Sequence, residues 1–361
     1  MSVFVSFVDN VVYACKHVVV GVALVGSFSY FIVNKFYEAL ILIFSGVDLY
    51  KKIKLPDGRL LEGPGKLLGK GSFGIVCQYQ LDKKLVAVKI PNSREYNALQ
   101  QHELELLKKA NPHMNVINYI DRVEVDRKIW IVMELMKGSV HDLLVKNPGL
   151  SPKTKLSIAI QITTGIVHLH NFNSAYFSRE AIVHQDLKTD NILVDRLDDD
   201  PKINIKISDF GIARQVNQLT LPIFGKISSK LYKGQVGGTL LYTAPEVING
   251  MVTKRECCEP KSDVYSAGIV FWEVATARRP NRSIQEIHKG TFDEFNRDKN
   301  TNRQRITKTS FFGEVTETLS EPTYPMSSFL GPIIDKCVQP KIDDRNSANS
   351  ILKRLQQIEL K

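Results

Sequence analysis

The stretch Ile182-Val-His-Gln-Asp-Leu-Lys-Thr-Asp-Asn-Ile-Leu-Val194 has apolar ends and a crowded polar middle. Asp186, Lys188, Asp190 and Asn191 fall within six residues, so a candidate base, a cation and an amide stand side by side. The flanks, Ile182-Val183 and Ile192-Leu-Val194, are short apolar runs, mostly β-branched, that want burial. A neutral residue, Gln185, precedes the first carboxylate. A chain that concentrates ionisable groups between two buried runs has a use for them there, because burying unpaired charge is costly.

The totals bound the possibilities. With 361 residues, 43% of them hydrophobic and 24% charged, the chain is long enough for one large domain or two lobes with real cores. The formal net charge of +10 favours phosphate-bearing or acidic lipid partners. No long Lys/Arg run interleaved with aromatics occurs, so direct nucleic-acid binding is not expected. Cys15, Cys77, Cys257, Cys258 and Cys337 are odd in number and contain no CxxC. That excludes a disulfide framework or zinc site as the expectation and fits a reducing compartment.

The first fifty residues stand apart. Val18–Val33 carries no charge and is followed by a second apolar run, Ala39–Phe44, and then by Lys51, Lys52 and Lys54. Residues 1–15 hold Asp9 and no Lys or Arg, unlike a secretory leader, and are too few for an ectodomain. The expectation is membrane attachment through residues 1–50 by one span, a tight hairpin or a surface helix, against a buried helix packed on the rest of the protein. Residues 51–61 read as linker.

Working back from the polar stretch, Gly69-x-Gly71-x-x-Gly74 is weak evidence alone. A dinucleotide fold would open a helix after these glycines. Here Ile75–Leu81 alternates like a strand, Asp82-Lys83-Lys84 reads as a turn, and Leu85–Ile90 reads as a second strand. A glycine-rich hairpin is therefore expected, with backbone that can approach phosphates closely. Lys89 ends an otherwise apolar strand and needs an anion. The following helical stretch offers Glu103 and Glu105, of which Glu103 is preferred. Lys128–Met133 reads as a buried strand, Glu134–Gly138 as a connector, and Ser151–His170 as a helix.

Gly69-x-Gly71-x-x-Gly74-x-Val76, Val86-Ala-Val-Lys89, His184-Gln-Asp-Leu-Lys-Thr-Asp-Asn191, Asp209-Phe-Gly211, Ala244-Pro-Glu246 and Ser262-Asp263-Val-Tyr-Ser-Ala-Gly268 occur in the order seen in eukaryotic-type protein kinases. The resemblance runs from about residue 60 to the C-terminus. Asp263-Val-Tyr-Ser and Trp272–Pro280 look like the tyrosine-kinase-like branch of the serine/threonine kinases. The resemblance implies an α+β, two-lobed fold: a small β-rich N-lobe over 62–136 and a larger helical C-lobe over 137–361, with the domain as a whole spanning 62–361.

It also implies site residues. Asp186 would take the substrate hydroxyl proton, with Lys188 near the transferred phosphoryl group. Asn191 and Asp209 would hold Mg2+, or Mn2+ in its place. ATP would be bound by Leu68, Gly69, Lys70, Gly71, Ser72, Phe73, Gly74, Val76, Ala87, Lys89, Glu103, Met133, Glu134, Met136 and Leu193. His184 and Phe210 are expected in an apolar column with Leu107 and Tyr119, and Asp190 is expected to cap or bond locally rather than touch ATP. Asp-Leu-Lys-x-x-Asn implies serine/threonine protein substrates. The rival reading is a catalytically weak kinase-like scaffold at a membrane, which would usually lack one of Lys89, Asp186, Asn191 or Asp209.

Two positions depart from the family pattern. Gln185 stands where an arginine usually awaits an activation-loop phosphate, so phosphorylation at Thr220, Ser228, Ser229, Tyr232 or Thr239 is expected to have little leverage. Asn346 stands where proline is usual, with Arg345 expected to pair with Glu246. The inserts Asn171–Ala181 and Leu197–Pro201 read as surface decoration, and the basic stretch 281–325 as a solvated loop, with docking of a substrate or an acidic lipid surface as the alternative. The domain is expected to face the cytosol from a membrane, or else to be cytoplasmic.

Overall fold

The computed structural model describes residues 52–55, 57–63, 66–71, 73–171, 180–217, 239–248, 258–280 and 329–358. Residues 1–50, Ser72, most of the Asn171–Ala181 insert, Thr220, Ser228, Ser229, Tyr232 and the stretch 281–325 lie outside them. Among the described residues no helix is long and apolar enough to cross a membrane. The chain divides into two compact units: residues up to Gln100 with Ile120–Leu135, and Gln101–Tyr119 with residues from Met136 onward.

The first unit is a twisted antiparallel sheet. Its strands are β1 (Lys52–Lys54), β2 (Leu60–Glu62), β3 (Leu67–Lys70), β4 (Gly74–Leu81), β5 (Lys84–Pro91), β6 (Tyr119–Val125) and β7 (Lys128–Glu134). The order across it is β1-β2-β4-β5-β7-β6, with β3 also pairing β4. β4 buries alternate residues as its period-2 pattern requires. Ile75, Cys77 and Tyr79 face the core, where Tyr79 meets Trp130 edge-to-face at 5.9 Å. Burial pushes the Cys77 thiol up to about 12. The β4–β5 register sets Val76 opposite Lys89, and the β5–β7 register sets Ala87 opposite Met133.

Both tight hairpins use positive φ at two central residues, as type I′ turns demand, without glycine. Asp82 and Lys83 have φ of 44° and 71°, and Asp126 and Arg127 have 51° and 60°. The second turn is braced from outside: Arg94 Nε donates to Asp126 O at 2.9 Å and Asn97 Nδ2 to Arg127 O at 2.6 Å. The segment read as linker is built into the sheet. β1 pairs β2, β2 pairs β4, and Leu61 is fully buried. Arg59 closes the turn between β1 and β2 by bonding Asp57 and Asp121. Apolar residues alternating on either side of Pro56-Asp57-Gly58 were the available signal for this hairpin.

Helix α1 (Asn97–Ala110) contains the division between the units. The second unit continues with β8 (Gly138–Ser139), α2 (Val140–Lys146), α3 (Pro152–His170), β9 (Glu180–Val183), β10 (Ile192–Val194), β11 (Ile205–Ile207), β12 (Arg214–Asn217), α4 (Pro260–Thr276), α5 (Gly331–Cys337) and α6 (Ala348–Gln356). Ser139 and Asp142 form a reciprocal capping box on α2. α3 opens on Ser151 with Pro152 in its first turn, and packs on α4 and α6. α4 is buried along nearly its whole length, which is why its sequence is apolar with only occasional charge.

The insert Leu197–Pro201 does more than decorate the surface. Ser151 donates to Asp199 through both its backbone N and its hydroxyl, each at 2.9 Å. Ser157 Oγ donates to Pro201 O at 2.8 Å. The insert therefore fastens the start of α3, adding a carboxylate where the helix dipole favours one.

The glycines of the hairpin differ in kind. A Cβ at Gly74 would lie 2.3 Å from Ile90 O, so β4 and β5 could not keep their register. At Gly71 the nearest atom would be Gly74 O at 3.7 Å, and at Gly69 nothing lies within 4 Å. Gly74→Ala is expected to destabilise the fold by about 2 kcal/mol or more, and Gly71→Ala by less than about 1 kcal/mol. Urea denaturation of the two variants checks this, and equal losses would show that the requirement at Gly74 is not the strand pairing.

Candidate active site

The polar stretch sits between β9 and β10, as its apolar ends predict. β9 is held by β12, and β10 by β11 and β8. A 3-10 turn, Thr189–Asn191, joins the polar loop to β10. The loop is fastened from below by Asp263 of α4, which is almost fully buried. Its Oδ2 accepts from His184 N at 2.7 Å and its Oδ1 from Gln185 N at 2.9 Å. His170 Nε2 of α3 lies 2.9 Å from Oδ2. Gln185 adopts φ 64°, a left-handed conformation that two hydrogen bonds to one carboxylate make affordable. His184 is fully buried, reaches Ser208 O with Nε2 at 2.9 Å, and packs edge-to-face on Phe210 at 5.1 Å. Its place is structural, as expected.

Asp186 is 7% exposed. Its Oδ2 accepts from Lys188 Nζ and from Asn191 Nδ2, both at 2.9 Å. Its Oδ1 has no hydrogen-bond partner among the described residues. Burial pushes the carboxyl above the usual carboxylate range; Lys188 pulls against this and the nearby Asp209 carboxylate adds to it. Asn191 spends its amide N–H groups on Asp186, at Oδ2 and at the backbone carbonyl (2.8 Å), leaving its amide oxygen to face elsewhere. Ser208 donates from N and Oγ to Asn191 O at 2.9 and 2.8 Å, which ties Asp209 to the loop. Asp209 itself has φ 66°.

The remaining sequence-predicted residues fall in both units. In the first, Leu68, Gly69 and Lys70 lie on β3, Gly71 and Phe73 in the turn, Gly74 and Val76 on β4, Ala87 and Lys89 on β5, and Met133 and Glu134 on β7. Gly71 N donates to Gly74 O at 2.8 Å, and Phe73 packs on Tyr96. In the second, Met136 precedes β8 and Leu193 lies on β10. Glu103 is buried and Glu105 exposed, which separates the two candidates on α1. Ser72 lies outside the described residues.

Three features were not read from sequence. Asp190 does not bond locally: it forms a two-pronged ion pair with Arg279, 2.7 and 2.8 Å long. Burial raises its carboxyl, but the Arg279 guanidinium outweighs that and holds it below the usual carboxylate range. Glu273, buried on α4, accepts from the Tyr242 hydroxyl at 2.8 Å. Asp263 carries the loop. The available signal was two acids inside the apolar run of α4; their partners lie dozens of residues away and no spacing reveals them. The Arg345–Glu246 pair was expected and is present, at 2.7 and 3.1 Å, with Arg345 stacked on Tyr265. Asn346 N donates to Lys336 O at 3.2 Å, a bond proline could not make.

The protein kinase domain family matches residues 64–355. This chain is a protein kinase by family. It is 33% identical over 221 residues to the serine/threonine-protein kinase CTR1 of Arabidopsis thaliana, covering 59% of this chain and 24% of the relative. A probable serine/threonine-protein kinase of Dictyostelium discoideum is 32% identical over 231 residues, 62% of this chain and 20% of the relative. The dual specificity protein kinase shkA of the same organism is 30% identical over 304 residues, 81% of this chain and 48% of the relative. The chain thus spans less than half the length of these curated relatives.

Within the kinase domain, burial pushes Glu273 from 4.5 up to about 7, against the pull of its hydrogen bonds and Arg279. A carboxyl raised on folding favours the folded state below pH 4.5 and loses that advantage as pH rises to about 7. Glu273→Gln is therefore expected to stabilise the protein above pH 7, by at most about 3 kcal/mol, with the gain fading as the pH falls toward 4.5. Thermal melts at pH 5 and pH 8 check this; a variant-to-wild-type difference that is the same at both would contradict it.

Proposed function

We propose that this protein is an ATP-dependent serine/threonine protein kinase that moves the γ-phosphoryl group to a protein hydroxyl. The observation that carries the proposal is the Asp186 carboxylate. One of its oxygens is fixed by Lys188 and Asn191 while the other is buried with no hydrogen-bond partner among the described residues. A Ser or Thr hydroxyl donating to Oδ1 would complete that atom's hydrogen bonding and be turned toward the acceptor in one step. Lys188, already on Asp186, supplies positive charge beside the transferred group.

Asn191 and Asp209 are the residues to hold Mg2+, with Mn2+ as a substitute. Their donors are oxygens, which a hard cation prefers. Among the described residues no cluster of three or more His, Cys, Asp or Glu could hold a metal unaided. A two-residue site suits an ion that arrives with nucleotide phosphates, and the metal when bound supplies neutralisation of phosphate charge. Leu68, Gly69, Lys70, Gly71, Ser72, Phe73, Gly74, Val76, Ala87, Met133, Glu134, Met136 and Leu193 are assigned to ATP, and Lys89 to its phosphates with Glu103 as counter-ion. The open space at Gly69 supports a backbone approached by a ligand.

In an assay with labelled ATP, Mg2+ and an array of Ser, Thr and Tyr peptides, transfer should fall on Ser and Thr. Asp186→Asn should reduce it at least about a hundredfold, and Lys89→Met should cripple it with the melting temperature kept. Undiminished transfer by Asp186→Asn would overturn the assignment of the base. A wild-type protein that binds nucleotide without transfer would favour the scaffold reading.

Residues 1–50 are proposed as a membrane attachment, with the catalytic domain on the cytosolic side. The support is the uncharged Val18–Val33 run and the lysines that follow it at 51, 52 and 54. The full chain is expected to pellet with membranes and require detergent for release, whereas a variant lacking residues 1–50 remains in the supernatant. Identical fractionation of the two would reject the attachment.

A further inference from the structure

The turn that follows Asp186 is divided by burial. Thr189 and Asn191 point inward, while the side chain of Asp190 between them is 41% exposed. Its partner, Arg279, is 43% exposed and engages both carboxylate oxygens. The same guanidinium lies 3.3 Å from the Tyr242 hydroxyl, in the segment leading to Ala244-Pro245-Glu246. Arg279 is brought there by a reversal: α4 ends at Thr276, and its C-cap, Ala277, takes the left-handed conformation at φ 54°. An alanine in that conformation is strained, and the bend returns the chain to the loop two residues later.

A half-exposed ion pair adds only modestly to stability even when it is two-pronged. Its effect is on the charge beside the catalytic carboxylate. Lys188 also acts on Asp190, but it is committed to Asp186. Without Arg279, a surface carboxylate would stand uncompensated on the turn that carries the proposed base. We infer that Arg279 is a specificity-determining residue: by neutralising Asp190 it makes the peptide surface beside Asp186 indifferent to charge, so that the preferred substrates carry no obligatory Lys or Arg next to the acceptor hydroxyl.

This inference rests on the kinase reading above, and it is tested by ratios among active proteins rather than by activity as such. The full-length wild type, Arg279→Gln, Asp190→Asn and the double variant are compared on a Ser/Thr peptide array in which each flanking position is in turn Lys, Ala or Asp. The wild type is expected to be flat in charge at the positions nearest the acceptor. Arg279→Gln should gain for Lys over Ala by about threefold to fivefold, Asp190→Asn should gain similarly for Asp, and the double variant should return to flat. A charge profile unchanged from wild type in Arg279→Gln overturns the inference while leaving the kinase reading intact. Should Arg279→Gln fail to fold, Asp190→Asn decides, because no gain for Asp overturns it equally. A wild type that transfers no phosphate to any peptide removes the reading and the inference together.

Discussion

One buried carboxylate organises the second unit. Asp263 accepts two consecutive backbone N–H groups, from His184 and Gln185, and meets His170 as well. Three elements that are remote in sequence, α3, α4 and the loop before β10, thereby share a single anchor. The arrangement is satisfied because both oxygens are used, which is the condition for keeping a charge inside a helix that is otherwise apolar. The left-handed backbone at Gln185 follows from it: the two N–H groups converge on one side only if the chain turns sharply there. Everything after the turn, including the orientation of Asp186, inherits that bend.

Downstream of this anchor, charge is distributed by depth. Asp186 and Glu273 are buried and both are pushed upward by desolvation, while Asp190, nearer the surface, is held down by Arg279. Three acids so placed perform different tasks because their surroundings differ. The inner pair is governed by burial and a few hydrogen bonds. The outer one is governed by a cation that the surface could equally well have lacked.

Much of this could be read from the chain. The strand–turn–strand alternation around Gly74, the apolar flanks of the polar stretch, the Lys89 strand and the Arg345–Glu246 pair all follow from local pattern or from resemblance. Pattern fails where a partner is distant. Asp199 reaches Ser151 across 48 positions and Arg279 reaches Asp190 across 89. Neither contact leaves a periodic trace, because exposed charges fit a solvated loop as readily as an ion pair. Residues 51–61 look like linker since each strand there is only three residues long, so the alternation on either side of Pro56-Asp57-Gly58 is brief and easily passed over. Their role is visible only once β4 is there to receive Leu61 and Glu62.

Cys77 has a consequence for how this protein meets oxidants and electrophiles. Its side chain faces the core of the sheet, and burial pushes the thiol up to about 12. At neutral pH the sulfur is therefore a protonated, apolar filler rather than a nucleophile. Alkylating reagents and peroxide reach it only through moments when β4 leaves its neighbours, so its rate of labelling measures how often that strand opens. The residue sits one position from Val76, which is opposite Lys89. An inert thiol there keeps β4 free of adducts one position from the pair that sets its register on β5.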